Sequence, residues 1–258
     1  MKYNFDLKGK IAVITGEERG IGFEIAKGFA QSGANVAIAG MREEEFENAK
    51  CGVESEGAEC ICIKTDVSCE DSVKNMVKQV REHFGRIDIL VNNAGINKLY
   101  PAEEMPLDVW NSIIGVNLTG VFLVSREVAK VMLEQGGGRI VNITSMSGLV
   151  VNPLPQTQCA YNSSKAGAIM LTKCMAVEWA QRGIRVNGIA PGFMRTPLTQ
   201  KRLSTPNDPA VKKWIDGTPI GRVGEPTELV GLALYLAGDT AGYTTGTVIS
   251  VDGGYTCL

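Results

Sequence analysis

The chain has 258 residues, 44% of them hydrophobic, and a formal net charge of −2, which suits one α/β domain with a sizeable core. With no basic block or acidic tail, the charge pattern excludes nucleic acid and an anionic membrane surface as expected partners. Seven cysteines without CxxC spacing read as reduced thiols of a cytoplasmic protein, and a single histidine, His83, excludes imidazole triads and histidine-rich metal sites. No metal is expected. The start, MKYNFDLKGK, lacks the apolar run of a signal peptide, and no apolar stretch is read as approaching the roughly 20 residues that span a bilayer.

Short apolar, β-branched runs at residues 11–15, 35–39, 59–65, 87–91, 139–144, 185–189 and 247–251 are the predicted strands. Between them lie stretches of helical period at 22–32, 72–84, 107–134, 160–182 and 226–236. This alternation implies right-handed parallel crossovers. The expected fold is therefore a single Rossmann domain over residues 1–258, with a doubly wound seven-stranded parallel sheet and helices on both faces. Two segments break the rhythm. Residues 150–159 contain Pro153 and Pro155, and residues 191–226 contain Pro191, Pro197, Pro206, Pro209 and Pro219 before Pro226. The longer one is expected to be a substrate loop or lid.

The first strand runs into Thr15-Gly16-Glu17-Glu18-Arg19-Gly20-Ile21-Gly22, and a helix follows. Glycines let backbone approach a pyrophosphate, and a helix N-terminus offers unpaired N–H groups and a positive dipole end. Asp66-Val67 ends the third strand and Asn92-Asn93-Ala94-Gly95 the fourth, both at carboxyl ends where ligands bind in open α/β sheets. The Asp66 carboxylate can accept from an adenine amino group. After the second strand comes Gly40-Met41-Arg42, with no acid before Glu43. An acid there would hold a ribose 2′-hydroxyl, whereas Arg19 and Arg42 can clasp a 2′-phosphate. NADP(H) is therefore favoured over NAD(H), against the negative charge of Glu17, Glu18 and Glu43, Glu44 and Glu45.

Tyr161 and Lys165 are four residues apart and share one face of a predicted helix. A free phenol, with pKa about 10, is a poor acid–base group near neutrality, but a nearby ammonium and a cationic nicotinamide favour its phenolate. Ser145 follows the strand at 139–144, where its hydroxyl can bond a substrate oxygen. Asn117 interrupts an apolar helical face and can hold a water that relays protons to Lys165. Ser147 competes with Ser145 for the serine role. Ser147, Asn152, Gln156 and Gln158 offer donors and acceptors to a polyhydroxylated substrate.

Taken together, the motifs at 15–22 and 92–95, with Asn117, Ser145, Tyr161, Lys165 and Pro191-Gly192, resemble the short-chain dehydrogenase/reductase family from first strand to last. The resemblance implies a catalytic tetrad of Asn117, Ser145, Tyr161 and Lys165, with Lys165 also bonding the nicotinamide ribose. It further implies cofactor contacts at Gly16, Arg19, Gly20, Ile21, Gly22, Arg42, Asp66, Val67, Asn93, Ala94, Gly95, Tyr161 and Lys165. Pro191, Gly192 and Thr196 resemble the segment that meets the nicotinamide carboxamide. The implied strand order is 3-2-1-4-5-6-7, and the implied assembly a homotetramer. One departure is a longer Ser145–Tyr161 gap, which holds residues 152–158. Stretches at 145–152, 214–222 and 251–256 are similar to members acting on galactitol, mannitol or sorbose, so the expected substrate is a small sugar or polyol, with Ser147, Asn152 and Gln158 touching it. The alternatives are a 3-oxoacyl-thioester reductase of the same family and a non-catalytic NADP(H)-sensing protein.

Overall fold

A computed structural model describes residues 5–16 and 19–258. Among them seven strands form one parallel sheet: β1 (Ile11–Thr15), β2 (Asn35–Gly40), β3 (Cys60–Lys64), β4 (Ile89–Asn92), β5 (Gly138–Ile143), β6 (Ile184–Pro191) and β7 (Val248–Val251). The spatial order is β3-β2-β1-β4-β5-β6-β7, so the winding reverses between β1 and β4. Ile14 pairs with Val91 across that switch point, where the crevice of a doubly wound sheet opens. The sheet is apolar on both sides because successive side chains point to opposite faces. Ala12 and Ile14 enter one core with Phe29, Ile38 and Leu236, while Ile11 and Val13 enter the other with Met76, Val128 and Met132.

Helices α1 (Ile21–Gln31) and α2 (Phe46–Glu54) follow the first two strands, and α3 (Glu70–Phe84) follows the third. Next come α4 (Leu107–Ile114), a π-helical turn at Gly115–Thr119, and α5 (Gly120–Glu134). Helix α6 (Cys159–Trp179) precedes β6, and α7 (Pro197–Leu203), α8 (Pro209–Asp216) and α9 (Val230–Ala237) complete the chain's helices as described.

Three expectations need correction. Helix α2 is absent from the sequence reading, because it buries only Ala49 and Val53 and shows no broad apolar stripe. The 191–226 segment is not a plain loop: Pro197 and Pro209 open α7 and α8 at the position where a missing N–H costs nothing. Finally, Leu107–Glu134 is long and apolar enough to cross a bilayer by length and composition. Its Ile113, Val124, Val128 and Met132 are fully buried in the protein's own cores instead.

Candidate active site

The carboxyl ends of β1, β4, β5 and β6 border a cleft of about 580 Å³, within the roughly 300–1,000 Å³ typical of small-ligand sites. Thr15 ties its floor together. Its Oγ1 accepts from the backbone N–H groups of Asn93 (3.1 Å) and Ala94 (3.3 Å), and its carbonyl accepts from Asn93 Nδ2 (3.1 Å). The two turns approach so closely that Gly16 has no room for a side chain: with φ at 80°, an added Cβ would lie 2.2 Å from Ala94 Cα. Helix α1 starts at Ile21, and among the described residues no side chain caps its first N–H groups, which can donate to a phosphate. A Cβ on Gly95 would sit 3.5 Å from both Asn117 Oδ1 and Lys165 Nζ, so this backbone runs directly beside the two side chains.

Gly16, Arg19, Ile21, Arg42, Asp66, Val67, Asn93, Ala94 and Gly95 line this end of the cleft, with Pro191, Gly192 and Thr196 across from them. Gly20 and Gly22 do not; Gly20 precedes α1 with φ at 82°, and Gly22 is buried in its first turn. Arg19 and Arg42 converge as expected, but on a carboxylate: Glu45 Oε1 lies 3.3 Å from Arg19 Nη1 and 3.8 Å from Arg42 Nε. Glu43 pairs with Lys64 at 2.6 Å. Glu17 and Glu18 lie outside the described residues. Asp66 Oδ1 accepts from the N–H and hydroxyl of Ser68, at 2.9 and 2.6 Å.

At the centre, the Ser145 hydroxyl hydrogen-bonds the Tyr161 phenol. Ser147 instead turns away and donates to Asn152 Oδ1 at 2.7 Å. Lys165, 4% exposed, sits beneath with Nζ 5.7 Å from the Tyr161 ring centre and donating to the Ile143 carbonyl at 2.9 Å. Burial pulls the Lys165 ammonium down to about 8. Burial also pushes the Tyr161 phenol up, and the Ser145 bond opposes that only in part. The phenol is therefore protonated at neutral pH.

Asn117 lies in the π-helical turn, fully buried. Its Oδ1 accepts from Ile96 N–H (2.9 Å), and its Nδ2 donates to the Ile96 carbonyl (2.9 Å) and to Ser164 Oγ (3.1 Å). This amide pins the loop after β4 and is not part of the cleft lining. Asn92 is likewise structural, donating to Ser125 and Asn142 at 2.8 Å.

The far end is walled by amides. Asn97 Nδ2 donates to Gln158 Oε1 at 2.9 Å, and Gln158 Nε2 donates to Asn152 Oδ1 at 2.7 Å. Asn97 escaped the sequence reading, since a lone amide two residues past a glycine turn carries no periodic or motif signal. Phe193 and Trp214 also line the cleft. Their rings stack at 4.6 Å, with Tyr255 edge-on to Phe193 at 5.4 Å, and they give the 191–226 segment a small core of its own with Ala210 and Val223.

Residues 15–256 match the family described as enoyl-(acyl carrier protein) reductase. Sorbose reductase of Candida albicans is 40% identical over 98% of this chain and 89% of its own length. The chain belongs to the short-chain dehydrogenase/reductase family. Galactitol 2-dehydrogenase (L-tagatose-forming) of Cereibacter sphaeroides is 39% identical over 98% of this chain and 97% of its own. A solved gluconate 5-dehydrogenase from Burkholderia cenocepacia, in complex with NADP and tartrate, superposes with a TM-score of 0.92 at 36% identity, covering 98% of both chains. This short-chain dehydrogenase/reductase is thus a nicotinamide-dependent oxidoreductase acting on alcohol and carbonyl groups, on the Rossmann fold its motifs imply.

Proposed function

We propose that the protein interconverts a ketose and the corresponding polyol at a secondary alcohol, with NADP(H) as the preferred cofactor. The observation that carries this reading is the Tyr161 phenol, beside Ser145 and set over buried Lys165, in a cleft whose far wall is made of side-chain amides. Relatives acting on sorbose and galactitol support it.

The turns at Gly16 and Asn93–Gly95, with Pro191 and Gly192 opposite, would hold a nicotinamide cofactor, which when bound would supply the hydride in reduction and take it in oxidation. Ser145 and Tyr161 hold the substrate oxygen by hydrogen bonds. Tyr161 gives its proton to the carbonyl oxygen as the alcohol forms, and in the reverse direction takes the hydroxyl proton. Lys165 lies under the phenol, where its positive charge favours the phenolate and where it could also bond the ribose of a bound cofactor. Asn117 fixes Ile96 and Ser164 around that lysine.

Arg19 and Arg42 bring two guanidiniums to the cleft's β2 end, where they share the Glu45 carboxylate. A 2′-phosphate, with up to two negative charges and several acceptors, suits them better than a hydroxyl. We also propose a cytoplasmic homotetramer. All seven cysteines are free, and α5 and α6 expose Phe122, Met170 and Val177 at 41%, 57% and 81%, apolar surface that another subunit would cover.

The test follows NADPH and NADH absorbance separately against ketoses, with polyols in reverse. Rapid ketose turnover with NADPH is expected. Turnover of only an acetoacetyl thioester or a simple diketone would keep the hydride chemistry and reject the substrate class.

A further inference from the structure

The amide wall contains polar atoms that the fold itself does not satisfy. Asn97 Oδ1, Asn152 Nδ2 and Gln156 Oε1 are buried without a hydrogen-bond partner, and all three residues line the cleft. So does Trp214, whose Nε1 is also buried and unpartnered. Folds rarely bury several such atoms together, because each loses its water without compensation. Four of them around one cleft form a set of sockets for ligand groups.

The charges of the cleft are placed elsewhere. Among the described residues lining it, the cations are Arg19 and Arg42, which converge on Glu45, and Lys165, which donates to the Ile143 carbonyl. The amide-walled end has none. Lys213 reaches the neighbouring loop, donating to the Leu154 carbonyl at 2.8 Å, but is not part of the lining.

We propose that this end of the cleft selects a neutral polyhydroxylated chain and rejects the matching sugar acid, with Asn97, Asn152 and Gln156 as specificity-determining residues. The inference rests on the sugar or polyol reading above and narrows it. A hydroxyl both donates and accepts, so it can serve an amide oxygen and an amide nitrogen alike. Reversing the amide chain from Asn97 through Gln158 to Asn152 would exchange donor and acceptor at its ends and leave it equally neutral. A carboxylate only accepts and carries a full charge. Facing the Asn97 and Gln156 carbonyls without a cation, it would lose hydration that the Asn152 and Trp214 N–H groups replace only in part.

The experiment measures kcat/KM of the full-length protein with NADPH for L-sorbose, for 5-keto-D-gluconate and for 2,3-butanedione, which has no hydroxyl. Sorbose should exceed the keto acid by about 100-fold or more, in line with sites that read substrate hydroxyls. Equal turnover, or a preference for the keto acid, overturns the inference while the sugar reading stands. Turnover of butanedione alone overturns both. In Asn97→Ala and Asn152→Ala the sorbose-to-butanedione ratio should fall about tenfold or more. An equal loss on both substrates means these amides act only structurally and defeats the assignment. Gln156→Arg should raise the keto acid-to-sorbose ratio about tenfold; an unchanged ratio counts against the proposal.

Discussion

The two ends of the cleft are built differently. Around the ends of β1, β4 and β5, side chains are locked to backbone: Thr15 to Asn93 and Ala94, Asn117 to Ile96, Lys165 to Ile143. At the amide-walled end, Ser147, Asn152, Gln158 and Asn97 hold one another by side-chain bonds, beside the aromatic cluster of the 191–226 segment. Backbone ties at strand ends give the reacting groups the rigidity that proton transfer needs. Side-chain ties leave the substrate wall free to change with little cost to the sheet. Chemistry and specificity are thus separable in this molecule, and four substitutions or conditions sharpen the distinction.

The largest effect is expected at the rigid end. Gly16→Val forces a side chain into Ala94 at positive φ, so it should cost roughly 2–4 kcal/mol of stability. Thermal melting checks the first effect, and titration with either cofactor should show weakened binding. A stable variant with normal cofactor affinity would mean that the two turns are not rigidly coupled.

Next is pH. Because Tyr161 is held protonated at neutrality, reduction should stay nearly flat through that range. Oxidation needs the deprotonated phenol, so its rate should rise by about tenfold per pH unit below the phenol's pKa. That rise should flatten above about 8, where Lys165 loses the proton that favours the phenolate. Initial rates in both directions across pH test the sign, and oxidation that falls with pH would contradict it.

Arg42→Ala should raise the KM for NADPH about tenfold, from one lost charge-assisted contact, and change NADH much less. Equal changes for both cofactors would place Arg42 outside the 2′-phosphate site. The smallest effect is expected in the 191–226 segment. Trp214→Phe keeps a ring beside Phe193 but removes the unpartnered Nε1, so the ketose KM should rise about threefold to tenfold with the cofactor KM unchanged.

The same division explains what was legible in the sequence. The strands could be read to within a few residues, because a sheet covered on both faces demands continuous apolar runs such as Ile11–Thr15. Glycine turns and the Tyr161–Lys165 spacing are local patterns, and the structure brings them together in one cleft. The missed features depend on tertiary context. Glu45 reads as one of three consecutive acids until folding sets it between Arg19 and Arg42. Asn97 joins Gln158 across 61 positions of chain. Pro197 and Pro209 read as loop punctuation, although each opens a helix.

The central claim, that the Tyr161 proton completes hydride transfer to a ketose, has one direct test. Ketose reduction by Tyr161→Phe is measured at saturating NADPH, beside NADPH affinity by fluorescence titration. The account predicts a loss in kcat of about 10²–10⁴-fold, with NADPH affinity nearly unchanged. Turnover within a few fold of the parent protein would contradict it and move the proton to another group.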